Sequence, residues 1–130
     1  TVADPMFWAK QLKETFGGMF SFGLVSKSNY QIELSEKRLV EANKLLEEKD
    51  YANALKSLDL NETARGKAVE HKKKALEEKA DTLELTNRLV KSLQNQEKAL
   101  KFLVTQVPED QKGELDEIIK DLPLQISEAK

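Results

Sequence analysis

The chain has 130 residues, 34% of them charged and 39% hydrophobic, with five glycines, three prolines and no cysteine. This composition excludes collagen-like, low-complexity and disulfide-stapled architectures, argues against an all-β fold and leaves a helical protein large enough to bury a core of its own. Its 21 lysines and arginines against 23 acidic residues give a net charge of -2. With only Arg38, Arg65 and Arg88 carrying a guanidinium, that balance excludes a nucleic-acid binder.

In chain order, Asp4 and Pro5 form a helix start, because the carboxylate accepts orphan amide hydrogens and proline at the first helical position sacrifices no bond. Phe7 or Trp8, Leu12 and Phe16 recur at helical spacing, which predicts a first helix over about residues 5–16. Gly17, Gly18 and Gly23 bracket an apolar loop of Met19, Phe20 and Phe22. Ser26 or Ser28 caps a second helix whose apolar face includes the heptad series Ile32, Leu39 and Leu46. It ends near Lys49, and Asp50 caps the next helix at once, so the two form an antiparallel hairpin over residues 26–58. Asp50 to Leu55 resembles the start of the second helix of a tetratricopeptide repeat, without any 34-residue period to make an array.

No proline separates Asp50 from Pro108, and an unbroken helix there would reach about 85 Å. Val69, Leu76, Leu83, Val90 and Val104 lie on one seven-residue line, broken by Glu97, with Leu93, Leu100 and Val107 beside it. Between Asn61 and Lys74 only Ala64, Ala68 and Val69 are apolar, and Gly66 weakens a helix interior. A kink or a solvated stretch is therefore expected near residues 59–66 of a long helix over 59–107. Pro108 ends that region, Glu109 and Asp110 open a short last helix buried through Leu115, Ile118, Ile119 and Leu122, and Pro123 stops it before a fraying tail. Residues 106–130 carry three basic and seven acidic side chains and residues 51–105 eleven and eight, so the acidic end is expected to lie on the basic middle.

Residue chemistry points away from catalysis. His71 is the only histidine and stands beside Lys72, Lys73 and Lys74, a solvated face with Glu70 paired to Lys74 across one turn. The carboxylate pairs Glu47/Glu48, Glu77/Glu78, Glu109/Asp110 and Asp116/Glu117 are adjacent in sequence and diverge by roughly 100° on a helix. No serine elbow, phosphate loop or double-histidine motif occurs, so no catalytic, cofactor-binding or metal-ligating residue is expected, and no cofactor. Asn61-Glu62-Thr63 matches a glycosylation sequon and is assigned no function.

Six of the eight aromatic residues, Phe7, Trp8, Phe16, Phe20, Phe22 and Tyr30, fall within the first 30 positions. Two accounts stay open. The aromatics complete the core at one end of the hairpin, or Phe7, Trp8, Phe20 and Phe22, with Met6 and Met19, form an exposed patch for a protein partner or a membrane surface, assisted by Lys10 and Lys13.

The order Asp4-Pro5-Met6-Phe7, then Lys10, Leu12, Lys13 and Glu14, then Lys27 and Leu34, then Glu36-Lys37-Arg38-Leu39 with Glu41-Ala42, then Lys49-Asp50-Tyr51 with Ala54 and Leu55, resembles a prokaryotic exported domain, domain-of-unknown-function family 5667. The likeness runs over residues 3–60, with Val107-Pro108-Glu109 and Leu115 a weaker echo. It implies an all-helical module outside the cytoplasm, often behind a signal peptide or membrane anchor, with no established activity. From the residues themselves, Arg38 and Glu41 at the edge of the apolar seam are structural ion-pair candidates, with Glu14 on the first helix the partner expected for Arg38.

The sequence thus predicts an all-α fold, an elongated antiparallel bundle of about four helices in one domain: an aromatic helix and loop over 1–25, the hairpin over 26–58, the long helix over 59–107 and a short helix and tail over 108–130. It predicts a structural or protein-interaction module that acts outside the cytoplasm, takes an unidentified protein partner and no nucleic acid, or else touches the membrane through its aromatic start. The length of the Val69 to Val90 line also makes a homodimer an expectation.

Overall fold

The computed structural model of the chain describes residues 23–130. Five helices follow one another: α1 (Leu24–Glu47), α2 (Tyr51–Glu77), α3 (Leu83–Val104), α4 (Glu109–Ile119) and α5 (Leu122–Ala129), with no strand among the described residues. The fold is an all-α helical bundle. The predicted first helix and its aromatic loop lie outside the described residues.

Steps of three and four residues place one line of each long helix inside. On α1 the line is Ser28, Ile32, Ser35, Leu39, Ala42 and Leu46; on α2 it is Ala54, Leu58, Asn61, Arg65, Ala68, Lys72 and Ala75; on α3 it is Leu85, Leu89, Ser92, Gln96, Ala99 and Leu103, every one buried. Cross-helix bonds fix the directions. Ser28 Oγ donates to Ala68 O at 2.7 Å and Asn61 Nδ2 to Ser35 O at 2.8 Å, so α1 and α2 are antiparallel. Arg88 Nη1 donates to Asn29 Oδ1 at 3.0 Å and Ser92 Oγ to Glu36 Oε2 at 2.6 Å, so α3 returns parallel to α1. The fourth position of the bundle is filled by α4 and α5 together, which fold back over α2 and α3.

Both long turns use the same device. After α1, Lys49 takes φ 61°, its N–H bonds to Leu46 O and the Asp50 N–H reaches Leu45 O; after α2, Lys79 takes φ 60°, its N–H bonds to Leu76 O and the Ala80 N–H reaches Ala75 O. These are Schellman closures, which satisfy the orphan carbonyls at a helix end and usually place glycine where these two lysines sit. Asp50 then caps α2 as predicted, accepting the Asn53 N–H at 3.4 Å.

Three expectations are corrected. The long helix is not one element over 59–107: α2 continues unbroken through residues 59–66, and the break falls at residues 78–82. Asn61 and Arg65 are fully buried and hydrogen-bonded rather than solvated, so a poverty of apolar residues there marks a polar interior and not a weak helix. The seven-residue line from Val69 to Val104 crosses the turn between two helices that run in opposite directions. Leu76 and Leu83 consequently flank that turn, 54% and 68% exposed, and do not share one continuous helical stripe. Finally, Pro123 does not end a helix. It sits in the first turn of α5, where its missing N–H costs no bond, and Leu122 and Ala129 at the two ends of α5 are buried. The acidic end does lie on the basic middle: Lys73 Nζ donates to Glu128 Oε2 at 2.7 Å.

The core is mostly leucine, with Leu39, Leu58, Leu93, Leu100, Leu103 and Leu115 all within 1% of complete burial. Leu100→Ala is expected to lower the unfolding free energy by about 2–5 kcal/mol, whereas Leu83→Ser changes it by less than about 0.5 kcal/mol. Replacing either turn lysine by glycine, Lys49→Gly or Lys79→Gly, relieves a left-handed side-chain conformation and should stabilise the fold by roughly 0.5–1 kcal/mol. Urea titrations of the four variants measure all of these changes.

Candidate functional site

Polar residues occupy the middle of the inward lines and bond to one another. Arg65, on α2 and completely buried, donates from Nε to Asn61 Oδ1 at 2.9 Å, from Nη1 to Gln125 Oε1 at 2.7 Å and from Nη2 to the Ile118 carbonyl at 2.8 Å. Asn61 Nδ2 donates to Gln96 Oε1 at 2.8 Å and to Ser35 O. Gln96 Nε2, on α3, donates to Ser35 Oγ at 2.9 Å and Ser92 Oγ at 3.0 Å. Ser92 Oγ donates in turn to Glu36 Oε2 on α1.

The direction of this chain is dictated by its first member. A guanidinium can only donate, so Asn61 must present its oxygen to Arg65 and therefore its nitrogen to Gln96. Gln96 in turn presents oxygen to Asn61 and nitrogen to the two hydroxyls. Donation runs one way, Arg65 to Asn61 to Gln96 to Ser92 to Glu36, from a buried cation to a buried carboxyl. The chain touches α1, α2 and α3, and its Arg65 end ties down the C-terminal pair through Ile118 on α4 and Gln125 on α5.

Electrostatics at the two ends differ. Burial lowers the Arg65 guanidinium to about 10, which leaves it charged at neutral pH, helped by Glu62 and Asp121. Burial raises the Glu36 carboxyl to about 8 against the opposing effects of the Ser92 hydrogen bond and Arg88, with Glu33 adding to the rise. Glu36 is 5% exposed and its Oε1 has no hydrogen-bond partner. A carboxyl in such a place is more stable with its proton.

Beside the Glu36 end, Val25, Asn29, Asp81, Leu83, Leu85 and Arg88 line a groove of about 430 Å³. Burial lowers the Arg88 guanidinium, opposed by Glu36 and Glu33, and its Nη1 bonds to Asn29 in the groove wall. The groove lies at the end of the bundle where α1 begins.

Of the residues singled out in the sequence, Arg38 and Glu41 pair with each other, Nη1 to Oε2 at 3.0 Å, one turn apart on α1 and each about one-third exposed. Such a pair contributes only a few tenths of a kcal/mol. Glu14, the partner expected for Arg38, lies outside the described residues, as do Phe7, Trp8, Phe20 and Phe22. His71 is half-buried with its pKa lowered, chiefly by burial and secondarily by Lys27, Lys74 and Lys67 against Glu70. Among the described residues no three metal-ligating side chains converge, and no helix is long and apolar enough to cross a membrane. The sequon residue Asn61 has both amide hydrogens engaged inside the bundle.

None of Arg65, Gln96, Ser92 or Glu36 is singled out by sequence motifs. Their signal was positional: each occupies, or in the case of Glu36 adjoins, a three-four step of an otherwise apolar line. A folded-state pKa above the unfolded value means that the folded chain holds the extra proton, so stability falls as pH rises from about 4.5 to 8 and levels beyond. Glu36→Gln should therefore raise stability by roughly 2–3 kcal/mol at pH 7, leave it nearly unchanged at pH 4 and flatten the slope between. Arg65→Met, which removes the donor from three acceptors, two of them buried, should cost about 3 kcal/mol at every pH. Thermal unfolding followed by circular dichroism across this range reads both.

No protein-family model, no curated protein and no solved structure matches this chain, so the functional reading rests on the geometry above.

Proposed function

We propose that the chain is a helical structural or protein-interaction module that acts outside the cytoplasm. The observation that carries this reading is the contrast between interior and surface. The buried polar side chains bond mainly to one another, while Tyr30, Leu76 and Leu83 expose apolar surface around the end of the bundle that holds the groove. Three of the five exposed large apolar side chains among the described residues stand at this end, Leu60 and Leu124 lying elsewhere, and such a cluster is what a partner would cover. The resemblance of residues 3–60 to the exported family supports the setting outside the cytoplasm. The partner is a protein surface, a second copy of the chain included.

A second reading, contact with a membrane or cell envelope, draws on the aromatic residues Phe7, Trp8, Phe20 and Phe22 that precede α1. Vesicle co-sedimentation separates the two. On the primary reading the wild-type chain stays in the supernatant with anionic and with neutral vesicles. Pelleting of the wild type that is lost in the Trp8→Ala, Phe20→Ala double variant would replace it with the membrane reading. Light scattering on a size-exclusion column then tests self-association: a dimer that dissociates in Leu76→Ser, Leu83→Ser names the second copy as partner.

A further inference from the structure

The one-way chain of donors joins two places that have no other reason to communicate, the Glu36 carboxyl on α1 and the α4–α5 pair. We propose that this chain is a proton-controlled latch, in which loss of the proton from Glu36 is transmitted through Ser92, Gln96, Asn61 and Arg65 and loosens α4 and α5 from the bundle. The inference concerns the interior and does not rest on what the module binds.

Three observations carry it. First, the carboxyl is enclosed: Oε2 has the Ser92 hydroxyl at 2.6 Å and Oε1 has no hydrogen-bond partner, so the neutral group is accommodated and the anion is not. The charged groups acting on it are Arg88 from α3, which favours the anion, and Glu33 from its own helix, which opposes it; burial outweighs both. Second, the links between the ends have no slack. Both Asn61 Nδ2 hydrogens are engaged, by Ser35 O and Gln96 Oε1, and both Gln96 Nε2 hydrogens are engaged, by Ser35 Oγ and Ser92 Oγ. A shift of one member cannot be absorbed by exchanging partners, because reversing Asn61 would set donor against donor at Arg65 and reversing Gln96 would do the same at Asn61. Third, the receiving end is thin: α5 is eight residues long, fully buries only Leu122 and Ala129, and has as its polar ties to α2 the Arg65–Gln125 bond and the exposed Lys73–Glu128 pair.

The sequence of events follows from these contacts. The ionised carboxylate holds the Ser92 hydroxyl more tightly yet leaves Oε1 unpaired, so it gains by moving towards water and draws Ser92, and α3 with it, off its packing. Gln96 moves with α3, Asn61 loses the oxygen that receives its hydrogen, and Arg65 loses the orientation that aims Nη1 and Nη2 at Gln125 and Ile118. In the opened state Glu36 titrates near its ordinary value, so the opening equilibrium rises by up to about tenfold per pH unit through the neutral range and levels above about pH 8.

Amide hydrogen exchange on the whole chain tests this, corrected for the intrinsic pH dependence of exchange and run from about pH 5.5 to about pH 8.5. Expected is a loss of protection over residues 118–129 of tenfold or more across that range, with α5 opening at a lower free energy than the middle of α2, which follows global stability alone, and no such loss in Glu36→Gln. Gln96→Leu, or Ser92→Ala if the former does not fold, should leave the Glu36 carboxyl titrating, as followed by its carbon chemical shift, while exchange of α5 ceases to follow pH. The proposal is overturned if α5 protection is independent of pH in the wild type. It is equally overturned if Glu36→Gln behaves like the wild type, if α5 and the middle of α2 exchange with one common opening free energy, or if the broken-link variant still couples α5 to pH.

Discussion

A guanidinium that is wholly buried and can only donate sets the terms for the interior of this bundle. Arg65 needs acceptors on every side, and it finds them on three different elements: Asn61 one turn back on α2, the Ile118 carbonyl at the end of α4 and Gln125 on α5. Burying such a group among leucines without those acceptors would cost several kcal/mol. Only an arrangement that brings α4 and α5 against this one turn of α2 satisfies it. Leucine contacts tolerate sliding, because any apolar neighbour serves; the Arg65 contacts do not, so they fix the register that the apolar residues leave loose.

The same constraint explains what the sequence reveals and what it hides. Ile32, Leu39 and Leu46 are read at once as a buried face, and Asp50 as the cap that makes a hairpin, since each follows from spacing or from local chemistry alone. Asn61, Arg65, Ser92 and Gln96 are equally interior, yet a search for apolar periodicity passes over them. On α2 the line Ala54, Leu58, Ala68 and Ala75 is complete only when Asn61, Arg65 and Lys72 are counted as members of it. Nothing local distinguishes a buried glutamine from a solvated one; the distinction is made by partners far away in the chain, Gln96 to Ser35 being one instance.

The misplaced break in the long helix has a different origin. Gly66 suggests weakness, but it lies in a helix whose neighbours on both sides are fastened by Ala68 and Arg65, and packing overrides an intrinsic cost of about 1 kcal/mol. The true break carries its own mark. Glu47-Glu48-Lys49 closes α1 and the same tripeptide, Glu77-Glu78-Lys79, closes α2, in each case with the lysine in the left-handed conformation. Glycine is the residue that announces such a closure, and neither turn has one. The repetition of the tripeptide and the Asp81 that follows it, whose carboxylate accepts the Leu83 N–H at 3.1 Å, are the traces of the turn in the sequence.

Surface and interior meet at Arg88. Its side chain lines the groove at the α1 end, bonds to Asn29 in the groove wall and acts on the Glu36 carboxyl behind it. The positive charge there is the main influence, beside the Ser92 hydrogen bond, that favours the Glu36 anion against burial. A group entering the groove and drawing the guanidinium outward would weaken that influence and hold the proton on Glu36 more firmly; one pressing it inward would do the reverse. A ligand of the groove that displaced Arg88 would thus be linked to the proton on Glu36 through a single side chain, each responding to the other.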